Sequence, residues 1–262
     1  MENNISIGIV TFRERKGLVE KLIHQVRQHV PDTVDILLAV NGNNDEQMPD
    51  SYRQDMLDLS KKYEHIYPIF CPEFKSLSKL WNTLVVFSKT KYNFIICDDT
   101  TYDNPQTLSI VNEHINTTKD EFFLINSQFS HFVITKQTLH RLGYFDERLI
   151  GHGEEDGDMV QRYIRSFNKN IPNLSIPNFS NLASYELKNE NMECHIHNKP
   201  TVNRKIAELK YKKDPNGICG MNPTPLAPTG VLEDYQQYPH EMFFLNNKHN
   251  IAKYSQIQLD DE

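Results

Sequence analysis

The sequence predicts an α/β fold in which a mostly parallel sheet is flanked by helices on both faces. Over the first two-thirds of the chain, short apolar runs rich in β-branched residues alternate with segments whose apolar residues recur at helical spacing. This alternation is typical of β-α-β units. Right-handed crossovers between parallel strands then place helices on both faces of the sheet.

Each predicted element rests on its own apolar pattern. Strands are predicted for residues 5–10, 35–40, 66–70, 92–97, 122–125 and 132–134. The helices between and after them are predicted from apolar stripes that contain Leu22, Met56, Leu84, Val111 and Tyr163. Asn104 and Pro105 predict the N-cap and the first residue of the fourth helix.

The pattern weakens after about residue 170. Asn and Pro punctuate residues 170–181, and a basic helical stretch is predicted for residues 202–213. Four prolines lie in residues 214–230, which favours an ordered lid or a loop. We therefore expect a core domain of residues 1–213 and an extension, residues 214–262, that packs on or beside it.

Composition excludes several classes of protein. The 262 residues contain 28 Lys and Arg against 35 Asp and Glu, a net charge of -7, so no nucleic-acid partner is expected. The four cysteines have no CxxC spacing, which favours a reduced, cytosolic protein. No targeting segment or membrane-spanning run is visible. Peripheral contact with the inner face of a membrane and homo-oligomerisation remain open.

Two acids come directly after a predicted strand. Asp98 and Asp99 follow residues 92–97, and ligands of parallel sheets bind beyond the carboxyl ends of the strands. Adjacent carboxylates are unfavourable there unless they bind a cation or hydrogen-bond donors. The pair therefore indicates a divalent cation that holds a diphosphate, and a solvated turn is the alternative interpretation.

A second acidic run lies at the start of the last predicted helix. Four of the five residues in the segment 154–158 are acidic, and Gly151 and Gly153 precede them. A helix N-terminus stabilises one or two acids through its exposed N–H groups, but a run of four exceeds that need. Glycines allow the backbone to approach a ligand closely. An acid here could serve as general base for a hydroxyl group.

These motifs, in this order and spacing, resemble a family 2-type nucleotide-sugar glycosyltransferase with the GT-A fold. The Asp98–Asp99 pair resembles its DD or DxD metal motif, and residues 143–162 resemble its G-x-F-D-E and E-D-x-D stretch. Residues 5–13 resemble the first strand and nucleotide-binding turn. Residues 78–82 resemble the helix that ends in R-N, with Trp81 in place of Arg. The resemblance covers roughly residues 5–170, and more loosely continues to 213.

The resemblance implies roles for individual residues. Asp99 would bind Mn²⁺ or Mg²⁺, and His197 would reach the metal or the diphosphate, although an exposed loop pair with His195 is the alternative. Asp156 would be the catalytic base, and Glu155 would support it or contact the acceptor. The implied donor-binding residues are Thr11, Phe12, Arg13, Asn41, Asp45, Asn82 and Asp98. Asp158 and Arg162 would pack and orient their helix.

The implied activity is inverting, metal-dependent transfer of a sugar from a nucleotide-diphosphate donor to a hydroxyl of a glycan or lipid-linked acceptor. The implied setting is the synthesis of bacterial surface polysaccharide, such as capsule or lipopolysaccharide.

Two departures from the family pattern leave alternatives open. Val40 stands where the family often has an Asp that binds uracil, so guanosine, cytidine and thymidine donors stay open beside uridine. Thr100 stands where many members have a third Asp. Both favour, as a second hypothesis, a non-catalytic module that binds sugar nucleotides. A nucleotidyltransferase ranks lower because residues 11–17 contain a single Gly.

Overall fold

A computed structural model of the protein describes residues 4–12, 15–42, 48–147, 149, 153–182 and 203–204. The strands are β1 (Ile5–Phe12), β2 (Ile36–Asn41), β3 (Ile66–Cys71), β4 (Tyr92–Cys97), β5 (Thr100–Tyr102), β6 (Phe122–Ile125), β7 (Gln128–Thr135), β8 (Asn173–Leu174) and β9 (Phe179–Asn181). The helices are α1 (Lys16–His29), α2 (Asp50–Lys62), α3 (Leu77–Phe87), α4 (Thr107–Thr118), α5 (Lys136–Leu142) and α6 (Glu155–Phe167). No helix among these residues is long and apolar enough to cross a membrane.

The predicted α/β sheet is confirmed. Seven strands pair in the order β3-β2-β1-β4-β7-β6-β8, and the first four are parallel to one another. Strand β7 runs antiparallel to both β4 and β6. In the register of the central strands, Ile9 on β1 lies between Leu38 on β2 and Ile96 on β4. The six predicted strands all appear in this sheet, some with longer bounds.

The described residues form two compact units. The first contains the sheet, α1, α2, α4 and the second half of α3, and the second contains the first half of α3, most of α5 and α6. The core of the first unit is built from strands that are buried on both faces, as parallel sheets are. Three of the predicted helical stripes face it, since their residues Leu22, Met56 and Val111 are fully buried in this core.

The predicted start of the fourth helix is wrong. Helix α4 begins at Thr107 with Gln106 as its N-cap, so Pro105 precedes the helix. The Asn104 side chain instead forms a turn, because its Oδ1 accepts the Gln106 N–H at 2.9 Å. Its Nδ2 donates to the Pro177 carbonyl at 3.0 Å. An Asn can bond its own backbone two residues on, and here that local bond wins over capping.

Four elements were not predicted, and the first is the three-residue strand β5. Strands β8 and β9 lie in the segment 170–181, which looked irregular, and they are two and three residues long. Helix α5 has seven residues, too few to show a helical period. Strand β9 pairs with β5 in a separate two-stranded sheet. Only residues 203–204 of the predicted basic helix are described, and they are helical. The extension, residues 214–262, lies outside the described residues.

Gly42 lets two turns of the first unit approach closely. A Cβ at this position would lie 2.3 Å from the carbonyl oxygen of Pro72, which is backbone and cannot rotate away. At Gly8 the nearest atom is the Cδ1 of Ile95, at 2.7 Å, the end of a flexible side chain. We therefore expect Gly42→Ala to lower the free energy of unfolding by about 3 kcal/mol and Gly8→Ala by about 1 kcal/mol. Urea unfolding of both variants measures this, and an equal or larger loss for Gly8→Ala would contradict it.

Candidate active site

The acid pair, Asp98 and Asp99, lies where the sequence predicts it, in the turn directly after the central strand β4. The turn is held by the small sheet of β5 and β9 that follows it. The Leu182 N–H donates to the Asp99 carbonyl at 2.8 Å. Asp98 is 3% exposed. The two carboxylates are therefore held in a fixed turn at the carboxyl edge of the parallel strands.

Arg15, at the N-terminal end of α1, pairs with both acids. Its Nη1 donates to Asp98 Oδ1 at 2.8 Å and to Asp99 Oδ2 at 3.1 Å. Burial opposes the charged guanidinium, but the two carboxylates outweigh it and raise the pKa of Arg15. Burial raises the pKa of Asp98 to about 6, against the opposing effect of Arg15. The guanidinium also lies over the Phe12 ring, 4.9 Å from its centre.

The acid pair keeps two acceptors unused. Asp98 Oδ2 and Asp99 Oδ1 are buried and have no hydrogen-bond partner among the described residues. A buried polar atom in this state is unfavourable until a ligand or water satisfies it. Carboxylate oxygens are the ligands that Mg²⁺ and Mn²⁺ prefer, so the pair fits a divalent cation. The described residues contain no cluster of three His, Cys, Asp or Glu side chains that could hold a metal alone.

The predicted donor-binding residues on β1 and β2 lie at the same edge of the sheet. Thr11 is buried. Its hydroxyl faces Asp98 and weakly lowers the pKa of that acid, but the contact falls short of an ordinary hydrogen bond. The Asn41 amide forms a reciprocal pair with the Lys75 backbone, donating to its carbonyl at 2.9 Å and accepting its N–H at 2.8 Å. Asn41 therefore fixes the segment between β3 and α3.

The two departures from the family pattern have structural explanations. Val40 is fully buried in the core of the first unit, where a carboxylate would be unfavourable. The Thr100 hydroxyl is buried and donates to Asn181 Oδ1 at 3.3 Å, which links β5 to β9. Thr100 therefore supports the turn that holds the acid pair.

In the second unit, the acidic run begins helix α6. Glu154 is its N-cap and adopts a left-handed backbone, with φ of 75°, a conformation that costs about 1 kcal/mol in a residue with a Cβ. Asp156 is partly exposed, and its Oδ1 accepts the Gly157 N–H at 2.7 Å. Glu155 is 6% exposed, and its Oε2 has no hydrogen-bond partner among the described residues. Burial, reinforced by the negative charge of Asp156, raises the pKa of Glu155 to about 8.

Asp158 and Arg162 form a buried ion pair one turn apart on α6. The Arg162 Nη2 and Nε donate to Asp158 Oδ2 at 2.7 and 3.0 Å. Its Nη1 donates to the carbonyls of Leu142 and Gly143 at 3.0 and 2.8 Å. The pair therefore fixes α6 against the end of α5, the packing and orienting role that the resemblance implies.

Asn82 is fully buried in the second unit, and its amide is fully used. Its Nδ2 donates to the Phe145 carbonyl and to Glu147 Oε1, both at 2.9 Å, and its Oδ1 accepts the Phe145 N–H at 3.0 Å. Lys79 lies 3.0 Å from the other oxygen of Glu147. Burial raises the pKa of Glu147, and Asn82 and Lys79 oppose that effect. Asn82 therefore holds residues 145–147 in place.

The structure brings Arg15 to the acid pair, and sequence reasoning gave Arg15 no such role. The available signal was its place soon after β1, because ligands of parallel sheets bind beyond the carboxyl ends of the strands. Glu147, which Asn82 and Lys79 hold, was likewise given no role of its own. Arg13, Asp45 and His197 lie outside the described residues, as does His195.

The described residues define an α/β fold whose mostly parallel sheet carries an acid pair after its central strand. The chain belongs to the glycosyltransferase-like family 2, whose profile matches residues 54–210. The family that the sequence resembled is thereby confirmed. No curated protein matches the chain.

Solved structures show the same GT-A fold at low sequence identity. A 1–349 fragment of TarS from S. aureus matches with 15% identity and a TM-score of 0.51, over 67% of this chain and 59% of that one. The mannosyltransferase PcManGT from Pyrobaculum calidifontis, in complex with GDP-Man and Mn²⁺, matches with 10% identity and a TM-score of 0.52, over 67% and 55%.

A third structure is glucosyl-3-phosphoglycerate synthase from Mycobacterium tuberculosis, in complex with Mn²⁺, UDP and glucosyl-3-phosphoglycerate. It matches with 11% identity and a TM-score of 0.51, over 72% of this chain and 76% of that one. This chain thus spans little more than half the length of the first two structures. The likeness establishes the fold.

The raised pKa of Glu155 predicts a pH-dependent stability. The folded state keeps a proton that the unfolded state, with an ordinary Glu pKa of 4.5, has lost above that pH. The contribution to stability is therefore complete below about pH 4.5 and is lost as pH rises through about 8. Glu155→Gln, which stays neutral, should be the more stable protein at pH 9, by on the order of 5 kcal/mol at most.

Urea unfolding at pH 5, 7 and 9 measures this difference. Glu113→Gln, the same substitution on an exposed face of α4, is the control and should follow the wild type at every pH. A Glu155→Gln protein that loses stability above pH 7 as steeply as the wild type would show that Glu155 is not the responsible group.

Proposed function

We propose that the protein is a metal-dependent glycosyltransferase that moves a sugar from a nucleotide-diphosphate donor to a hydroxyl group of an acceptor. The observation that carries this proposal is the acid pair after β4, fixed in a buried turn with one partnerless oxygen on each carboxylate. Family membership and the GT-A fold support the same reaction. The acidic run at the start of α6 supports it independently, because it supplies a partly exposed carboxylate.

On the donor side, we assign Asp99 to the Mn²⁺ or Mg²⁺ and Asp98 to the donor itself. When bound, the cation would offset the negative charge that develops on the leaving diphosphate. The solved complexes of PcManGT with GDP-Man and of glucosyl-3-phosphoglycerate synthase with UDP, both with Mn²⁺, support the proposal that a metal and a nucleotide donor bind here. The remaining proposed contacts are Thr11, Phe12, Arg13, Asn41 and Asp45, with His197 as a further metal or diphosphate ligand.

Asn82 is assigned an indirect role on the donor side. Its amide is committed to Phe145 and Glu147, so we propose that it serves the donor by positioning residues 145–147. Val40 leaves the nucleotide base unassigned. The two neighbours fit this openness, because one was solved with GDP-Man and the other with UDP.

On the acceptor side, Asp156 is the proposed base. It would take the proton of the acceptor hydroxyl as that oxygen attacks the anomeric carbon, and a single displacement of this kind inverts the configuration. Glu155 is mostly protonated at pH 7 and cannot fill this role. As a neutral neighbour it adds no negative charge beside Asp156, which is how we propose that it supports the base.

The proposed acceptor is a glycan or a lipid-linked glycan, in the synthesis of bacterial surface polysaccharide. The proposed location is the cytoplasm, at the inner face of the membrane where a lipid-linked acceptor is used. These finer assignments rest on the family resemblance.

A second candidate, a non-catalytic sugar-nucleotide-binding module, is favoured by one observation. Arg15 already offsets part of the negative charge of the acid pair without a metal. Incubation with a panel of nucleotide sugars separates the two candidates, because a transferase hydrolyses its donor slowly when no acceptor is present. Binding of a donor with no hydrolysis and no transfer would favour the module.

The metal assignment predicts the effect of Asp99→Asn. Because the variant loses a charged ligand, metal-supported donor binding should weaken by about 100-fold. Isothermal titration of nucleoside diphosphate with and without Mn²⁺ measures this. Asp103→Asn, which makes the same charge change on an exposed residue four positions on, should leave binding unchanged. An unaltered Mn²⁺ dependence in Asp99→Asn would refute the assignment.

The base assignment predicts the effect of Asp156→Asn. Turnover should fall by roughly 100- to 10,000-fold, since the variant cannot accept the hydroxyl proton, while donor affinity should stay near the wild-type value. Initial rates of sugar transfer and donor titrations check both halves. Asp50→Asn, an acid in the first turn of α2, is the matched control and should keep full activity. Wild-type turnover in Asp156→Asn would show that another group is the base.

A further inference from the structure

We propose that Arg15 is a built-in counter-ion of the acid pair, which a divalent cation must displace before it binds. The proposal rests on the proposed function, because it concerns how the same acids come to hold their metal. It assigns Arg15 a positioning role that family membership alone does not give.

The Arg15 guanidinium contacts both carboxylates of the acid pair at once. A single nitrogen, Nη1, lies 2.8 Å from an oxygen of Asp98 and 3.1 Å from an oxygen of Asp99. A cation held by Asp99 would come up against this nitrogen, which already contacts the same carboxylate. Two positive charges that contact the same carboxylate repel each other strongly in a poorly hydrated site. We therefore expect the cation to displace Arg15 from the acid pair.

Without Arg15, the acid pair would lack the positive charge that compensates it when no metal is bound. Asp98 and Asp99 lie side by side, with their side chains 2% and 13% exposed. Two buried like charges are unfavourable unless a positive charge compensates them. Arg15, with a side chain 14% exposed, supplies that charge when no metal is bound. The site is therefore assembled before the cation arrives.

The pairing of Arg15 with the acids leaves one oxygen of each carboxylate unsatisfied. Asp98 Oδ2 and Asp99 Oδ1 have no partner among the described residues, although both are buried. A bidentate Arg–carboxylate pair would satisfy both oxygens of one acid, whereas here one nitrogen is shared between two acids. A divalent cation held by the acid pair would find carboxylate oxygens that Arg15 leaves unpaired. These unpaired oxygens favour the exchange of Arg15 for metal. Because Arg15 must leave first, the apparent metal affinity is lower than that of the same site without Arg15.

The test is the affinity for Mn²⁺ alone, measured by isothermal titration calorimetry on the full chain. Arg15→Gln removes the competing charge and should bind Mn²⁺ about tenfold more tightly than the wild type. Arg15→Lys keeps the charge on a different side chain and should lie between them. Lys16→Gln is the matched control, because it removes the same charge one residue on, from a side chain 39% exposed that pairs with Asp55. Its Mn²⁺ affinity should stay at the wild-type value.

An Arg15→Gln protein that binds Mn²⁺ no more tightly than the wild type would overturn the proposal. Equal gains in Arg15→Gln and Lys16→Gln would also overturn it, since they would reflect net charge alone. If the wild type binds no Mn²⁺ and Arg15→Gln does, the proposal is supported in its strongest form. Failure of every variant to bind would overturn both this inference and the metal assignment, whereas unchanged affinity in Arg15→Gln with metal-dependent transfer intact would overturn this inference alone.

A measurement in chelator tests the counter-ion role without metal. Arg15→Gln should lower the melting temperature, because it leaves the acids unpaired. Adding Asp99→Asn to Arg15→Gln should recover part of that loss, whereas the two changes would simply add if the residues did not interact. Additive changes would therefore contradict the proposal, whatever the metal titrations show.

Discussion

The parallel pairing of β1 with β4 is the constraint on which the donor side of the molecule depends. Val10 lies opposite Cys97 in this register, so both strands reach the same edge of the sheet together. The chain that leaves β1 leads to Arg15, and the chain that leaves β4 begins with the acid pair. Residues 83 positions apart in sequence therefore meet at 2.8 Å. On the other side of β1, the pairing of Phe12 with Asn41 places the end of β2 at this edge as well.

Buried acids recur in the protein, and each is stabilised in a different way. Asp98 is balanced by an arginine that reaches it across the sheet edge. Asp158 is balanced by Arg162 on its own helix, in a pair that also bonds two backbone carbonyls. Among the described residues no cation opposes the burial of Glu155, and its raised pKa means that it retains a proton instead. The fully bonded pair is structural, whereas the incompletely bonded acids are the ones that we propose to act on ligands.

The sequence predicted the sheet well because buried parallel strands read as continuous apolar runs. It also located both acidic clusters, since each follows a recognisable element boundary. It failed where local bonds compete: Asn104 forms a turn instead of capping α4, and short elements such as α5 show no period. The role of Arg15 could not be predicted, because it depends on which strands become neighbours. The bonds that commit Asn82 and Asn41 to backbone partners likewise appear only in three dimensions.

We propose that the acid pair binds a cation and a diphosphate, and that Arg15 pairs with the acids until the cation displaces it. A crystal structure of the protein with Mn²⁺ and a nucleoside diphosphate tests it most directly. The account predicts Mn²⁺ on Asp99 with the diphosphate beside it, and Arg15 Nη1 beyond hydrogen-bond distance of Asp98 Oδ1. A nucleotide bound elsewhere, with the Arg15 pairing unchanged and no ion on either carboxylate, would contradict it.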